Sequence, residues 1–115
     1  MIPMKLIQID DRLDKDFPEL GYGYVSCGMG WYPILKKLIQ RVLNLVPNIK
    51  IVHIKEKFGC LRFYVTPTSC KVSAAISDFE ALSGTVCESC GTQEGVTLEG
   101  GWIKAFCPKC RVDNG

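Results

Sequence analysis

Histidine is almost missing from this sequence, with His53 the only one in 115 residues. A lone imidazole builds no histidine metal cluster, and neither it nor the scattered acids form a pair at the spacing that acid–base catalysis would show. His53 is therefore expected to be a packed or surface residue of a strand. Long apolar runs are missing too, since none approaches the ~20 residues that span a bilayer. The opening Met1-Ile-Pro-Met-Lys-Leu lacks the charged start and apolar block of a secretory signal, and a reducing cytosol is the expected compartment. There is no internal repeat and no low-complexity segment, and an apolar content of 47% with five Phe, four Tyr and two Trp excludes a disordered chain. The glycine-rich stretch Gly21–Gly30 has neither the Gly-Lys-Ser/Thr of a P-loop nor the spacing of a dinucleotide fingerprint. Its glycines are expected to let the backbone turn tightly against the core.

Cysteine, by contrast, is plentiful: there are seven. Four of them form Cys87-Glu-Ser-Cys90 and, after sixteen residues, Cys107-Pro-Lys-Cys110. Two intervening residues let both thiolates of a tight turn point at one ion, and two such turns complete a tetrahedral four-sulfur shell. One structural Zn2+ on Cys87, Cys90, Cys107 and Cys110 is the expectation. Between the pairs, Gly95–Glu99 and Trp102–Phe106 are strand-like runs joined through Gly100-Gly101, the layout of a zinc ribbon. Two disulfides would suit a secreted domain, and a dithiol redox pair would need only one such turn, usually in a βαβ setting. Cys27, Cys60 and Cys70 show no ligand-type spacing with His53 and are expected to be buried free thiols.

The formal charge of +2 conceals a division along the chain. Residues 1–30 carry three basic and five acidic side chains, residues 31–65 seven and one, and residues 66–115 four and six. Such a basic centre suits an acidic partner, or else forms the solvated faces of one helix and one hairpin.

Alternation over Met4–Ile9 predicts a short strand that Asp10-Asp11-Arg12 ends, followed by a polar loop through Asp14, Asp16, Pro18 and Glu19. Trp31, Ile34, Leu35, Leu38, Ile39, Val42 and Leu45 recur at three and four, predicting a helix over about 31–46. Pro33 suits its first turn, and Pro47 lies beyond its end. Residues 50–56 and 60–66 predict an antiparallel hairpin bent at Lys57-Phe58-Gly59, with Val52, Ile54, Leu61, Phe63 and Val65 facing a helical layer. A second helix, about 69–83, follows the turn and cap at Pro67-Thr-Ser. The expected fold is α+β: residues 1–84 a small antiparallel sheet packed by two helices, residues 85–115 a zinc ribbon docked on it without a linker.

Gly30-Trp31-Tyr32-Pro33 at a helix start, Lys55-Glu56-Lys57-Phe58-Gly59-Cys60-Leu61-Arg62-Phe63-Tyr64, and Cys87-Glu88-Ser89-Cys90-Gly91 with Trp102 leading to Cys107 resemble a family of small, uncharacterised proteins of bacteriophages and prophages. The resemblance covers roughly residues 30 to 110 and implies a phage or prophage origin without implying an activity. In that family a second glycine usually stands where this chain has Cys60, and a histidine commonly replaces the last cysteine. Zinc accepts either ligand at Cys110.

Four cysteines close a metal shell, which leaves no open position for catalysis. The expected function is thus a non-enzymatic interaction protein, and the resemblance implies a partner protein of host or phage, such as a defence or regulatory component. Binding nucleic acid through the ribbon is the alternative, with Trp102, Lys104, Phe106, Lys109 and Arg111 offering rings and positive charge. An enzyme with an anion site at Lys55, Lys57 and Arg62 of the hairpin is the second alternative, although Lys55, Glu56, Lys57 and Arg62 would equally make a ladder of cross-strand ion pairs.

Overall fold

The computed structural model of the chain describes residues 9–99 and 103–114. It is an α+β fold: a three-stranded mixed sheet with helices against one face and, at its end, a short hairpin and helix flanked by the four clustered cysteines. In order the elements are α1 (Ile9–Asp16), β1 (Tyr22–Ser26), α2 (Tyr32–Leu45), β2 (Lys50–Lys57), β3 (Cys60–Thr66), α3 (Cys70–Ser83), β4 (Thr97–Glu99), β5 (Lys104–Phe106) and α4 (Pro108–Asn114). A 3-10 turn, Met29–Trp31, leads into α2.

Helix α2 forms where the apolar spacing predicts it. Leu35, Leu38, Ile39 and Val42 are fully buried, and Pro33 lies in the first turn, where no backbone donor is lost. Helix α3 is capped by Ser69, whose hydroxyl accepts from the Val72 amide at 3.3 Å. Its side chains also close the outer edge of β3. Ser83 Oγ accepts from Leu61 N–H at 2.8 Å and Glu80 Oε2 from Phe63 N–H at 3.0 Å, so the edge donors are not left for another chain.

Three expectations are corrected. Residues 4–8 of the anticipated first strand lie outside the described residues, but Ile9 and Asp10-Asp11-Arg12 belong to α1 rather than to a strand and its end. Ile9 and Leu13 are buried one helical turn apart, and Asp10 and Asp11 favour the positive end of the helix. The glycine-rich stretch contains β1, which pairs parallel to β2 across the α2 crossover, so the sheet is mixed and not only a hairpin. Gly23 allows it: a Cβ there would lie 2.4 Å from the Val52 carbonyl oxygen. Val52 does not face the helices but is 45% exposed. Ile51 pairs with Val65 and His53 with Tyr64, leaving Val52 as the extra residue of a bulge that resets the alternation and buries Ile51 and Ile54 together.

The β2–β3 hairpin turns through Phe58 and Gly59, both at positive φ (54° and 80°), as a two-residue hairpin turn requires. Gly59 is buried because the second hairpin sits on it: an added Cβ would meet Leu98 at 2.6 Å and the Ala105 amide at 3.3 Å. The cysteine-bearing segment is thereby packed on the sheet's end.

Candidate metal centre

Two turns bring the four sulfurs together. In the first, Gly91 N–H donates to the Cys87 carbonyl at 2.9 Å, and Gly91 takes φ +85°, which closes the turn under Cys87 and Cys90. In the second, Cys107 immediately precedes α4, and the Cys110 amide donates to Cys107 Sγ at 3.5 Å. Cys87, Cys107 and Cys110 are buried and Cys90 is exposed, so the cluster meets solvent on one side.

All four sulfurs lie within 4.8 Å of one another, and Cys90 and Cys107 Sγ are 3.7 Å apart. A regular tetrahedron with metal–sulfur bonds of ~2.3 Å has sulfur–sulfur edges of ~3.8 Å. The donor set fits one metal ion. Proton chemistry agrees. Burial raises the Cys87 thiol, but backbone donors at Cys107, Cys90 and Ser89 outweigh it and bring it to about 6. Hydrogen bonding with Cys107 is the chief cause pushing Cys110 up to about 12. Four adjacent thiols cannot all ionise unaided, whereas a bound divalent cation deprotonates its thiol ligands outright.

The centre is joined to the core through residues beside the ligands. Trp31, fully buried, donates from Nε1 to the Val86 carbonyl at 2.9 Å. Glu88, inside the first Cys-x-x-Cys turn, accepts from Gly28 N–H on Oε2 at 2.8 Å, while its backbone carbonyl accepts from Gly30 N–H, also at 2.8 Å. Its Oε1 has no hydrogen bond among the described residues and only the Lys104 ammonium 4.0 Å away. Burial raises the Glu88 carboxyl, against the pull of the Gly28 amide and Lys104. Lys104 is held more closely by Glu56, at 2.6 Å. Gly30→Ala should show how tight this joint is, because the new Cβ would lie 2.3 Å from the Cys87 carbonyl oxygen and 2.6 Å from Glu88 backbone atoms. A loss of about 1–3 kcal/mol is expected by thermal denaturation. Gly21→Ala, whose Cβ meets only Lys50 side-chain carbons at 3.6 Å or more, should change little.

Of the remaining candidate residues, the strand register sets Lys55 and Arg62 side by side, and the other described ones are apart from them or already engaged. Trp102 and the Gly100-Gly101 turn lie outside the described residues. Lys104 is engaged with Glu56, and Arg111 donates to the Thr97, Glu99 and Lys104 carbonyls. Phe106 packs against the cysteines, leaving Lys109 as the exposed cation among those considered for the ribbon. The cross-strand ion-pair ladder does not form: Lys55 pairs with Arg62, Glu56 with Leu61 and Lys57 with Cys60. Lys55, Lys57 and Arg62 enter no salt bridge among the described residues.

Cys27 and Cys60 are half-buried, but Cys70 is exposed at the start of α3, contrary to expectation. Burial, then Glu88 and Glu56, push the Cys27 thiol to about 12. It is no ready nucleophile. No second metal cluster is found among the described residues. Glu88 carried no sequence signal, because between Cys87 and Cys90 it reads as a spacer between ligands.

Fold and site define a small α+β domain with a four-cysteine cluster, able to hold one metal ion, packed at one end. No protein-family model, curated protein or solved structure matches the chain. Among the described residues no helix is long and apolar enough to cross a membrane.

Proposed function

We propose that the chain is a zinc-holding, non-enzymatic interaction protein of phage or prophage origin that works in the cytosol. The observation that carries the metal reading is the four-sulfur cluster with its 3.7 Å edge. Tetrahedral thiolate donors select Zn2+ over the hard cations that prefer oxygen, and a four-thiolate shell keeps no position open for substrate. When bound, the ion staples Cys87 and Cys90 to Cys107 and Cys110. The chain's own residues then hold that staple against the sheet through Trp31, Glu88 and Lys104.

A role in binding is supported by positive charge that forms no salt bridge among the described residues. Lys55 and Arg62 stand opposite each other on neighbouring strands, a like-charge pair that costs stability unless an anion joins it. The resemblance suggests a protein partner from host or phage, such as a defence or regulatory component. The exposed side chains around Lys55 and Arg62 suggest nucleic acid. Elemental analysis of protein purified without added metal tests the first half of the reading. One zinc per chain is expected, whereas a ratio near zero with thiols that react only after reduction would replace the metal by disulfides.

A further inference from the structure

We propose that the open face of the β1–β2–β3 sheet binds single-stranded RNA, an inference that rests on the reading of the chain as an interaction module. The sheet has one sealed face, with Ile51, Ile54, Leu61 and Phe63 buried under the helices. On the other face no described residue of the three strands is buried. The strand register there places Tyr24, His53 and Tyr64 side by side in one row, since Tyr24 pairs with His53 and His53 with Tyr64. Tyr24 is 63% and Tyr64 44% exposed. His53 and Tyr64 touch edge to face, with ring centroids 4.6 Å apart. Two large rings exposed on a strand face are a cost in water unless something covers them.

The next row identifies what covers them. Ser26 pairs with Lys55 and Lys55 with Arg62, so two cations that form no salt bridge among the described residues lie beside the rings. Lys55 Nζ reaches over the Tyr64 ring at 5.8 Å. A row of rings beside a row of cations matches a strand whose bases stack while its phosphates run alongside. A duplex keeps its bases stacked internally and cannot use the rings. The cleft of about 530 Å³ next to Tyr24 and Lys55 is lined also by Asp10, Glu56, Glu88 and Lys104, and because Glu56 already engages the Lys104 ammonium, the remaining carboxylates turn phosphate away. The backbone is therefore confined to the Lys55–Arg62 side. Ser26 adds a hydroxyl that can donate to a phosphate of either nucleic acid and can also accept a hydrogen bond from the backbone. Phosphate and deoxyribose have no donor to give it, whereas a ribose 2′-OH does.

The test is fluorescence anisotropy of the zinc-loaded full chain with labelled mixed-sequence RNA of about twelve nucleotides, within the usual range of single-strand sites. The same sequence as single-stranded DNA and as duplex serves for comparison. RNA should bind more tightly than either. Between roughly 50 and 200 mM salt its affinity should fall about seven-fold, the drop for two phosphates neutralised on a single strand. Tyr24→Ala and Tyr64→Ala should each weaken binding about five-fold or more with the salt slope unchanged. Arg62→Glu should abolish it with the melting temperature held. RNA that does not bind at the lower salt, DNA or duplex bound equally well, or binding indifferent to both tyrosines overturns the proposal. If RNA fails while a protein from nuclease-treated lysate is retained by the wild type and lost from Arg62→Glu, the RNA occupant is overturned and the interaction-module reading stands. If neither binds, both fall.

Discussion

Cys87→Ser is expected to release the metal and lower the melting temperature by about 10 °C or more. Cys87 is fully buried, and its amide and carbonyl both serve the first turn: N–H donates to the Thr92 carbonyl at 2.8 Å and C=O accepts from Gly91 at 2.9 Å. Metal binding in small zinc domains is worth on the order of 10 kcal/mol, comparable with a whole domain's stability of roughly 5–15 kcal/mol. Losing even about 3 kcal/mol of that moves the midpoint of a chain this size by about 10 °C. Cys90→Ser should act in the same direction, lowering both solubility and melting temperature. Cys70→Ser, at an exposed position away from the cluster, is the control and should melt as the wild type does. Thermal scans with and without a strong chelator, alongside metal content, make the measurement. A soluble Cys87→Ser chain that melts unchanged would show that the cluster contributes nothing to stability.

Trp31→Ala should cost about 3–5 kcal/mol, the range for emptying a fully buried aromatic site. The indole fills the junction between α2 and the segment entering the centre, and its Nε1–H satisfies the Val86 carbonyl one residue before Cys87. Trp31→Phe separates the two contributions. It keeps most of the apolar volume but leaves that carbonyl without its donor, which costs about 1–3 kcal/mol. Urea unfolding of both variants should rank them alanine below phenylalanine below wild type. The alanine variant should also lose metal more readily to a competing chelator, because Trp31 holds the residue next to a ligand. Retention of metal equal to wild type in a destabilised Trp31→Ala chain would show that core and centre are energetically separate.

The parts of this molecule legible in the sequence are those set by local periodicity or ligand spacing. Two Cys-x-x-Cys turns name their sulfurs because a tight turn with two intervening residues aims both thiolates one way. Helix α2 is visible because its apolar residues repeat at the helical period over fourteen positions. The β2–β3 hairpin is visible for the same local reason. Helix α1 was not read from the sequence: Ile9 and Leu13 keep a four-residue spacing, but the acids around them resemble a strand end and a loop.

Tertiary structure alone decided the rest. Strand β1 carries a glycine, which weakens strands, and it exists because α2 returns the chain to lie parallel beside β2, where Gly23 lets the two backbones approach at the bulge. The bulge at Val52 exposes a valine that strict alternation buries, a shift set by pairing across strands and not by the strand's own residues. Lys104 looked like a free cation of the ribbon, yet docking places Glu56 2.6 Å from it. Lys55 and Arg62 looked like members of an ion-pair ladder, yet the register sets them against each other. In each case the partner is distant in sequence or displaced by one residue of register, and side-chain chemistry along the chain carries no information about which groups the fold will bring opposite.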